Sequence, residues 1–361
     1  MKHLRIIGAL ASTALVLTSL PATPAQAAVK KPRYNSPMPK KFKRYNAPGV
    51  TNVNRLLYPR RDYTGVYTQY PDAGSLAGAK RFGKLVGRKP NIVKSFANWG
   101  DNFDQAWTRS IWAAGELPQL EMEVWPRDYN GHATLKSIAA GRSDAYISTL
   151  AASIRAAKSP VVFSFAHEFN GEWYPWGYCA SGKRDTNPAI ENGCDYLNRP
   201  KDFVAAWKRI HKIFVAKKAT NAIWMWQPNE VGSRPKVYLK SFFPGNAAID
   251  WVGVVGYYRT KSKRRTFDSI FKPTFTQVGK LTKKPILIPE IAVSPVAKRS
   301  QYVRDFLAGV SGYPNVIGFI WFNQDKRPNE SDGDFRLEGP PSGIKAYKAG
   351  LAKGYFGVKV R

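Results

Sequence analysis

Two glutamates stand out for the company they keep. Glu168 lies in Ala166-His167-Glu168-Phe169-Asn170-Gly171-Glu172-Trp173-Tyr174-Pro175-Trp176-Gly177, and Glu290 closes Leu287-Ile288-Pro289-Glu290, 122 residues further on. Each follows an apolar run, so each is expected where a strand ends. One such glutamate is most simply a capping or salt-bridging group. Two of them, with aromatics beside both, suit a different chemistry: one carboxyl protonates a departing oxygen, and the other attacks an anomeric carbon or directs water to it.

The elements needed to bring them together can be read from the rhythm of the chain. From about residue 60, short β-branched or aromatic runs alternate with longer stretches of helical pattern. The runs are Tyr63–Gln69, Asn91–Ala97, Gln119–Trp125, Pro160–His167, Asn221–Gln227, Asp250–Tyr257, Pro285–Glu290 and Asn315–Asn323. Helices are expected over Asn102–Ala114, Asp144–Lys158, Pro200–Ala216, Phe267–Thr282 and Ala297–Gly309. Near-continuous apolar strands separated by helices imply parallel strands covered on both faces. Eight repeats fit an α/β fold of the (β/α)8 barrel type, a single domain over residues 51–361, better than an open doubly wound sheet. No GxGxxG follows a strand and no phosphate-binding loop occurs, which removes the usual nucleotide-binding reason for an open sheet. In a barrel the loops after the strands build the active face, and Glu168 and Glu290 then end the fourth and seventh strands.

Of eleven tryptophans, Trp99, Trp125, Trp173, Trp176, Trp226 and Trp321 fall at or just past expected strand ends. Sugar rings offer apolar C–H faces that stack on such rings. Trp107, Trp112 and Trp207 lie in helical stretches and Trp224 and Trp251 inside strands, where packing is the simpler role. Tyr257, at the end of the sixth strand, is placed to hold a carboxylate through its phenol or to serve as a buried structural residue.

The segment His167–Gly177 resembles the acid/base signature of glycoside hydrolase family 26, retaining (β/α)8 enzymes that are chiefly endo-β-1,4-mannanases. Asp250–Tyr257, Pro285–Glu290, Trp321-Phe322-Asn323 and Asp334-Phe335-Arg336 resemble its later segments. The resemblance implies that Glu168 is the general acid/base and Glu290 the nucleophile. It further implies that His167 contacts sugar hydroxyls, Tyr257 holds Glu290, and Trp173 and Trp321 line the subsite for the scissile sugar. Ser164 stands where mannanases of that family usually carry an arginine, and the Trp-Tyr-Pro-Trp ending also departs from their pattern. Mixed-linkage β-glucan and β-1,3-xylan are therefore alternative substrates. A binding protein that keeps the groove without the reaction is the alternative from another class, and intact Glu168 and Glu290 speak against it.

Composition narrows the remaining choices. The chain has 361 residues, 56 Lys+Arg against 25 Asp+Glu for a net charge of +31, and 13% aromatics. That aromatic content excludes a disordered chain. Lys2 and Arg5, an apolar run from Ile6 to Leu20 and Ala25-Gln26-Ala27 have the layout of a secretory signal peptide over residues 1–27. A basic, proline-bearing tail follows over residues 28–50. Its lysines and arginines either solvate a spacer or tether the protein to anionic cell-wall polymers. In an exported protein Cys179 and Cys194 are expected to form one disulfide across a loop. The absence of GxSxG and HExxH argues against serine and zinc hydrolysis. The cluster Asp325, Glu330, Asp332 and Asp334 lacks a regular calcium-loop spacing and reads as a solvated loop. No metal or cofactor is implied. Basic residues are spread along the chain without a nucleic-acid reading motif. The expectation is an extracellular monomer acting on a polysaccharide, with no membrane span.

Overall fold

Eight parallel strands close into a barrel in which the last strand pairs with the first. The structure, a computed structural model, describes residues 56–69, 71–125, 133–184, 192–232, 237–259, 266–325 and 333–360. The leader, the basic tail and His132 lie outside the described residues. The strands are β1 (Tyr63–Thr68), β2 (Ile92–Asn98), β3 (Leu117–Glu123), β4 (Val161–Phe165), β5 (Ala222–Trp226), β6 (Trp251–Gly253), β7 (Ile286–Ile291) and β8 (Val316–Asn323). Every residue of β4 to β8 is buried, as expected for strands with side chains inside the barrel and beneath a helical coat.

The coat comprises α1 (Leu76–Val86), α2 (Gln105–Ala113), α3 (Leu135–Ala139), α4 (Asp144–Ala157), α5 (Pro200–Ala216), α6 (Phe267–Leu281), α7 (Arg299–Gly312) and α8 (Ile344–Lys353). Local signals start several of them. Ser75, Asp104, Thr134 and Thr266 each accept a hydrogen bond from the third residue on, and Pro200 opens α5. The eight strands and five of these helices fall where the sequence pattern places them, with ends shifted by a few residues. One connection differs. Between β5 and β6 the described residues make two 3₁₀ turns, Leu239–Phe242 and Asn246–Ala248, and no α-helix.

Two irregularities in the barrel wall position the site. In β8, Gly318 has φ +140° and lies against Tyr63 of β1, so that a Cβ there would sit 2.3 Å from the Tyr63 carbonyl oxygen. In β7 the pairing with β8 runs Ile288 to Phe319 and then Ile291 to Trp321, so β7 carries one extra residue there. Pro289 has no N–H to donate, which breaks the ladder at that point, and the resulting bulge re-aims Glu290.

Candidate active site

The end of β4 turns sharply. Ala166 and Glu168 both have left-handed backbone angles, φ +50° and +53°, on either side of His167. Non-glycine residues rarely adopt this conformation, and it is held by backbone bonds on both sides. The Ala166 N–H donates to Met122 of β3, and the Glu168 N–H donates to Gln227 just past β5. Glu168 is 6% exposed and its two oxygens are already engaged. Trp173 Nε1 donates to Oε2 at 2.8 Å, and Asn229 Nδ2 donates to Oε1 at 2.5 Å.

Glu290 is equally buried and faces a different set of partners. Tyr257 Oη donates to Oε2 at 2.5 Å, and Lys94 Nζ pairs with Oε1. Lys94 comes from the middle of β2 and has no exposed surface. Its ammonium also meets Glu121 Oε1 at 2.7 Å and the ring centroid of Phe96 at 4.4 Å. Glu121 Oε1 accepts further from Gln119 Nε2 at 3.0 Å and Gln227 Nε2 at 2.6 Å. Glu121, His167 and Glu290 offer ligand-type atoms within 4.8 Å of one another. Since Lys94 pairs with two of the three, the cation serving this cluster is an ammonium. His167 lies between two carboxylates, with Nδ1 at 3.4 Å from Glu121 and Nε2 at 3.9 Å from Glu123.

These surroundings pull the two strand-end carboxyls in opposite directions. For Glu168, burial and then the Glu290 charge favour the neutral acid, and His167, Asn229 and Trp173 only partly offset them, so its pKa is raised. Burial also works to raise Glu290. Lys94, His167 and the Tyr257 hydrogen bond outweigh it and bring its pKa down to about 2. Burial lifts Glu121 to about 8, against the pull of Lys94 and with help from the Glu290 charge. The site therefore holds one carboxyl whose surroundings favour the neutral acid beside one whose surroundings favour the anion.

Sequence reasoning located Glu168, Glu290, His167 and Tyr257, and the structure brings all four together. It missed Lys94, Glu121, Glu123, Gln227 and Asn229. The strand-end tryptophans need correction. Trp173 is 39% exposed and Trp125 is half-buried, its Nε1 donating to Glu123 Oε2 at 2.9 Å. Trp176 and Trp321, expected to contact substrate, are fully buried. Trp176 stacks on Tyr174 with centroids 4.4 Å apart and donates to the His167 carbonyl, and Trp321 donates to the Phe335 carbonyl. They brace the wall without presenting a face to a sugar. Trp99 and Trp226 are buried in the same way. Tyr67, Phe96, Tyr174 and Tyr257 are half-buried at the mouth, as Trp125 is.

Around the site, Cys179 and Cys194 are disulfide-bonded, with Cα atoms 4.5 Å apart. Asn198, beyond the bridge, donates to the Pro175 and Gly177 carbonyls and so ties the return of the loop to its start. Of the acidic cluster, Asp325 and Asp334 both pair with Arg336. Glu330 and Asp332 lie outside the described residues. Among the described residues no helix is long and apolar enough to cross a membrane.

Comparison with known proteins agrees with the geometry. Residues 134–315 match the model of glycosyl hydrolase family 26. Endoglucanase H of Acetivibrio thermocellus is 28% identical over 293 residues, which make up 78% of this chain and 29% of that protein. A mannan endo-1,4-beta-mannosidase of Bacillus subtilis is 22% identical over 306 residues, 75% of each chain. Among solved structures, a family 26 beta-mannanase of Bacteroides ovatus superposes with a TM-score of 0.59 at 15% identity, covering 85% of this chain and 93% of that one. An endo-beta-1,4-mannanase of Cellulomonas fimi gives 0.60 at 17% identity, covering 83% and 72%.

Proposed function

The chain belongs to glycosyl hydrolase family 26, and from that premise we propose that it is a secreted endo-β-1,4-mannanase that works by two displacements with net retention. The observation that carries this reading is a pair of buried carboxyls at the ends of β4 and β7, one bonded to Trp173 and Asn229 and the other to Tyr257 and Lys94. These surroundings draw their proton affinities apart. In the first step a Glu290 oxygen bonds to the anomeric carbon, the glycosidic C–O bond breaks, and the departing oxygen takes the proton of Glu168. In the second step Glu168, now a carboxylate, takes a proton from water. The water oxygen bonds to the anomeric carbon and Glu290 leaves as a carboxylate. Tyr257 and Lys94 hold Glu290 ionised for attack. Trp173, bonded to the acid and exposed, is the ring best placed to receive a sugar face. Export rests on the leader-like residues 1–27, and the positive charge fits retention on anionic wall polymers.

A second substrate is favoured by two observations. The relative named an endoglucanase matches more of this chain at higher identity than the mannanase, and Ser164 replaces the arginine of the mannanase pattern. Mixed-linkage β-glucan is therefore the competing substrate for the same chemistry. A panel of mannan, lichenan, β-1,3-xylan and laminarin, scored for reducing ends with Glu290→Ala as the blank, separates the readings. Release from mannan supports the first and release from lichenan alone supports the second. Binding without release by the wild-type chain would leave a non-catalytic barrel.

A further inference from the structure

The amide of Asn229 reaches Glu168 from a backbone that is held on both sides. The Asn229 N–H donates to Asn170 Oδ1 at 2.7 Å, and the Asn229 carbonyl accepts from Asn170 Nδ2 at 2.9 Å. Only one orientation of the Asn170 amide satisfies both partners. Asn170 is 1% exposed and lies two residues past Glu168, whose own N–H donates to the Gln227 carbonyl. Three bonds thus zip residues 168–170 after β4 to residues 227–229 after β5. From this frame Asn229 Nδ2 donates to Glu168 Oε1, while Trp173 Nε1 donates to Oε2.

The two oxygens of Glu168 are therefore not equivalent. In a neutral carboxyl both the carbonyl and the hydroxyl oxygen keep a lone pair, so both can accept a hydrogen bond. Oε1 is turned to Asn229, which is buried, and Oε2 to Trp173, whose ring is 39% exposed. A proton bound for a glycosidic oxygen has to leave from the side on which the sugar lies. We propose that Asn229, clasped by Asn170, is a positioning residue for the acid: it holds Oε1 as the carbonyl oxygen of the neutral carboxyl, so that Oε2 bears the proton and passes it on. This inference rests on the reading of Glu168 as the general acid.

In the first displacement the Oε2–H bond breaks as the departing oxygen takes the proton and the glycosidic C–O bond opens. The anion left behind has a donor on each oxygen, Asn229 on Oε1 and Trp173 on Oε2. In the second displacement Oε2 takes a proton from the attacking water, and the starting state returns. Asn170 acts through Asn229, both of whose backbone polar groups it fixes.

The test reads the carboxyl C=O stretch of Glu168 by difference infrared spectroscopy of the whole enzyme, assigned as the band absent from Glu168→Gln. In the wild type it should lie below the position of a carboxylic acid whose carbonyl oxygen accepts no hydrogen bond. It should rise in Asn229→Ala and in Asn170→Ala and stay in Trp173→Phe. Movement in Trp173→Phe alone would put the proton on Oε1 and overturn the inference. A wild-type band at the free position would do so without any variant, so the test survives a variant that fails to fold. Kinetics separate positioning from folding. Asn229→Ala removes a donor to the Glu168 anion, so the alkaline limb of kcat/KM should move to higher pH, with polysaccharide cleavage down about tenfold. Glu290, His167, Tyr174 and Tyr257 also act on Glu168 or lie in its field, and these variants leave them in place. The burst of phenol from an aryl glycoside with an acidic leaving group needs no acid and should not change. Asn170→Ala should shift the limb in the same direction, and the double variant no further than Asn229→Ala alone. An unmoved limb, or equal losses on polysaccharide and aryl glycoside, would reduce the asparagines to packing and sink the inference. Loss of the phenol burst in Glu168→Ala would instead overturn the acid role of Glu168 itself, and the inference with it.

Discussion

Glu168 and Glu290 lie in each other's field, and only their neighbours make them different. Glu290 is held at about 2 by Lys94, His167 and Tyr257 against its burial, so it stays ionised at all but strongly acid pH. Glu168 is raised by burial and by Glu290, so it keeps its proton to higher pH than an ordinary carboxyl. The product of the two populations gives a bell, with Glu290 protonation setting the acid limb and Glu168 ionisation the alkaline one. Tyr257→Phe removes a donor that favours the Glu290 anion. Its pKa should rise, the acid limb of kcat/KM should move to higher pH, and kcat/KM should fall about 10- to 100-fold. An unmoved acid limb would detach Tyr257 from the nucleophile. Glu168→Ala should cripple polysaccharide cleavage but spare aryl glycosides with acidic phenols, and azide should restore turnover to a β-azide. Glu290→Ala should gain nothing from a good leaving group, and azide there should give the α-azide. Glu168 and Glu290 were legible because a carboxyl closing an apolar run needs a reason. Lys94 and Glu121 carried a comparable signal, a charge inside a run that must be buried. Lys94 meets Glu121 on the neighbouring strand β3 and Glu290 on β7 across the closed barrel, and no single stretch of sequence shows either meeting.

At the level of elements, periodicity located every strand because both faces of a parallel barrel strand are buried. It passed over α1, α3 and α8. Glycines interrupt the helical pattern of α1 and α8, and α3 is only five residues long. Pattern also could not tell a tryptophan at the mouth from one behind the wall. Trp176 and Trp173 are three residues apart on one loop, yet one is 1% and the other 39% exposed. The loop that decides this is closed by the Cys179–Cys194 bridge, with a sequence separation of 15. Loop-closure entropy assigns such a bridge about 3 kcal/mol. The paired Cys179→Ser and Cys194→Ser change should lower stability by that order. It should also reduce kcat/KM by freeing Trp173 from Glu168, and titration of activity with reductant in the wild type measures the same effect. Unchanged kinetics in the reduced enzyme would show that the bridge plays no part in placing Trp173.

Across the whole molecule, chemistry and stability occupy opposite ends of the barrel. Glu116 precedes β3 at the end away from the reacting groups, where side chains bear on stability. It has no exposed surface, and Lys89 Nζ approaches Oε1 only to 3.6 Å. Burial raises its pKa above the ordinary carboxylate value, with Lys89 opposing. A carboxyl with a raised folded pKa favours folding most when protonated, and that advantage is lost as pH rises through the folded pKa. Glu116→Gln should therefore stabilise the protein by about 1 kcal/mol above that pKa, the gain vanishing in acid, with kcat unchanged. Thermal unfolding across pH measures it, and a loss at neutral pH would show that the Lys89 pair outweighs the burial cost. The reaction itself is tested most directly by its stereochemistry. Proton spectra recorded during the first turnovers on the preferred polysaccharide should show the β-anomer of the new reducing end appearing first and the α-anomer growing in by mutarotation. An α-anomer formed first would mean inversion, and Glu290 could then not be the nucleophile.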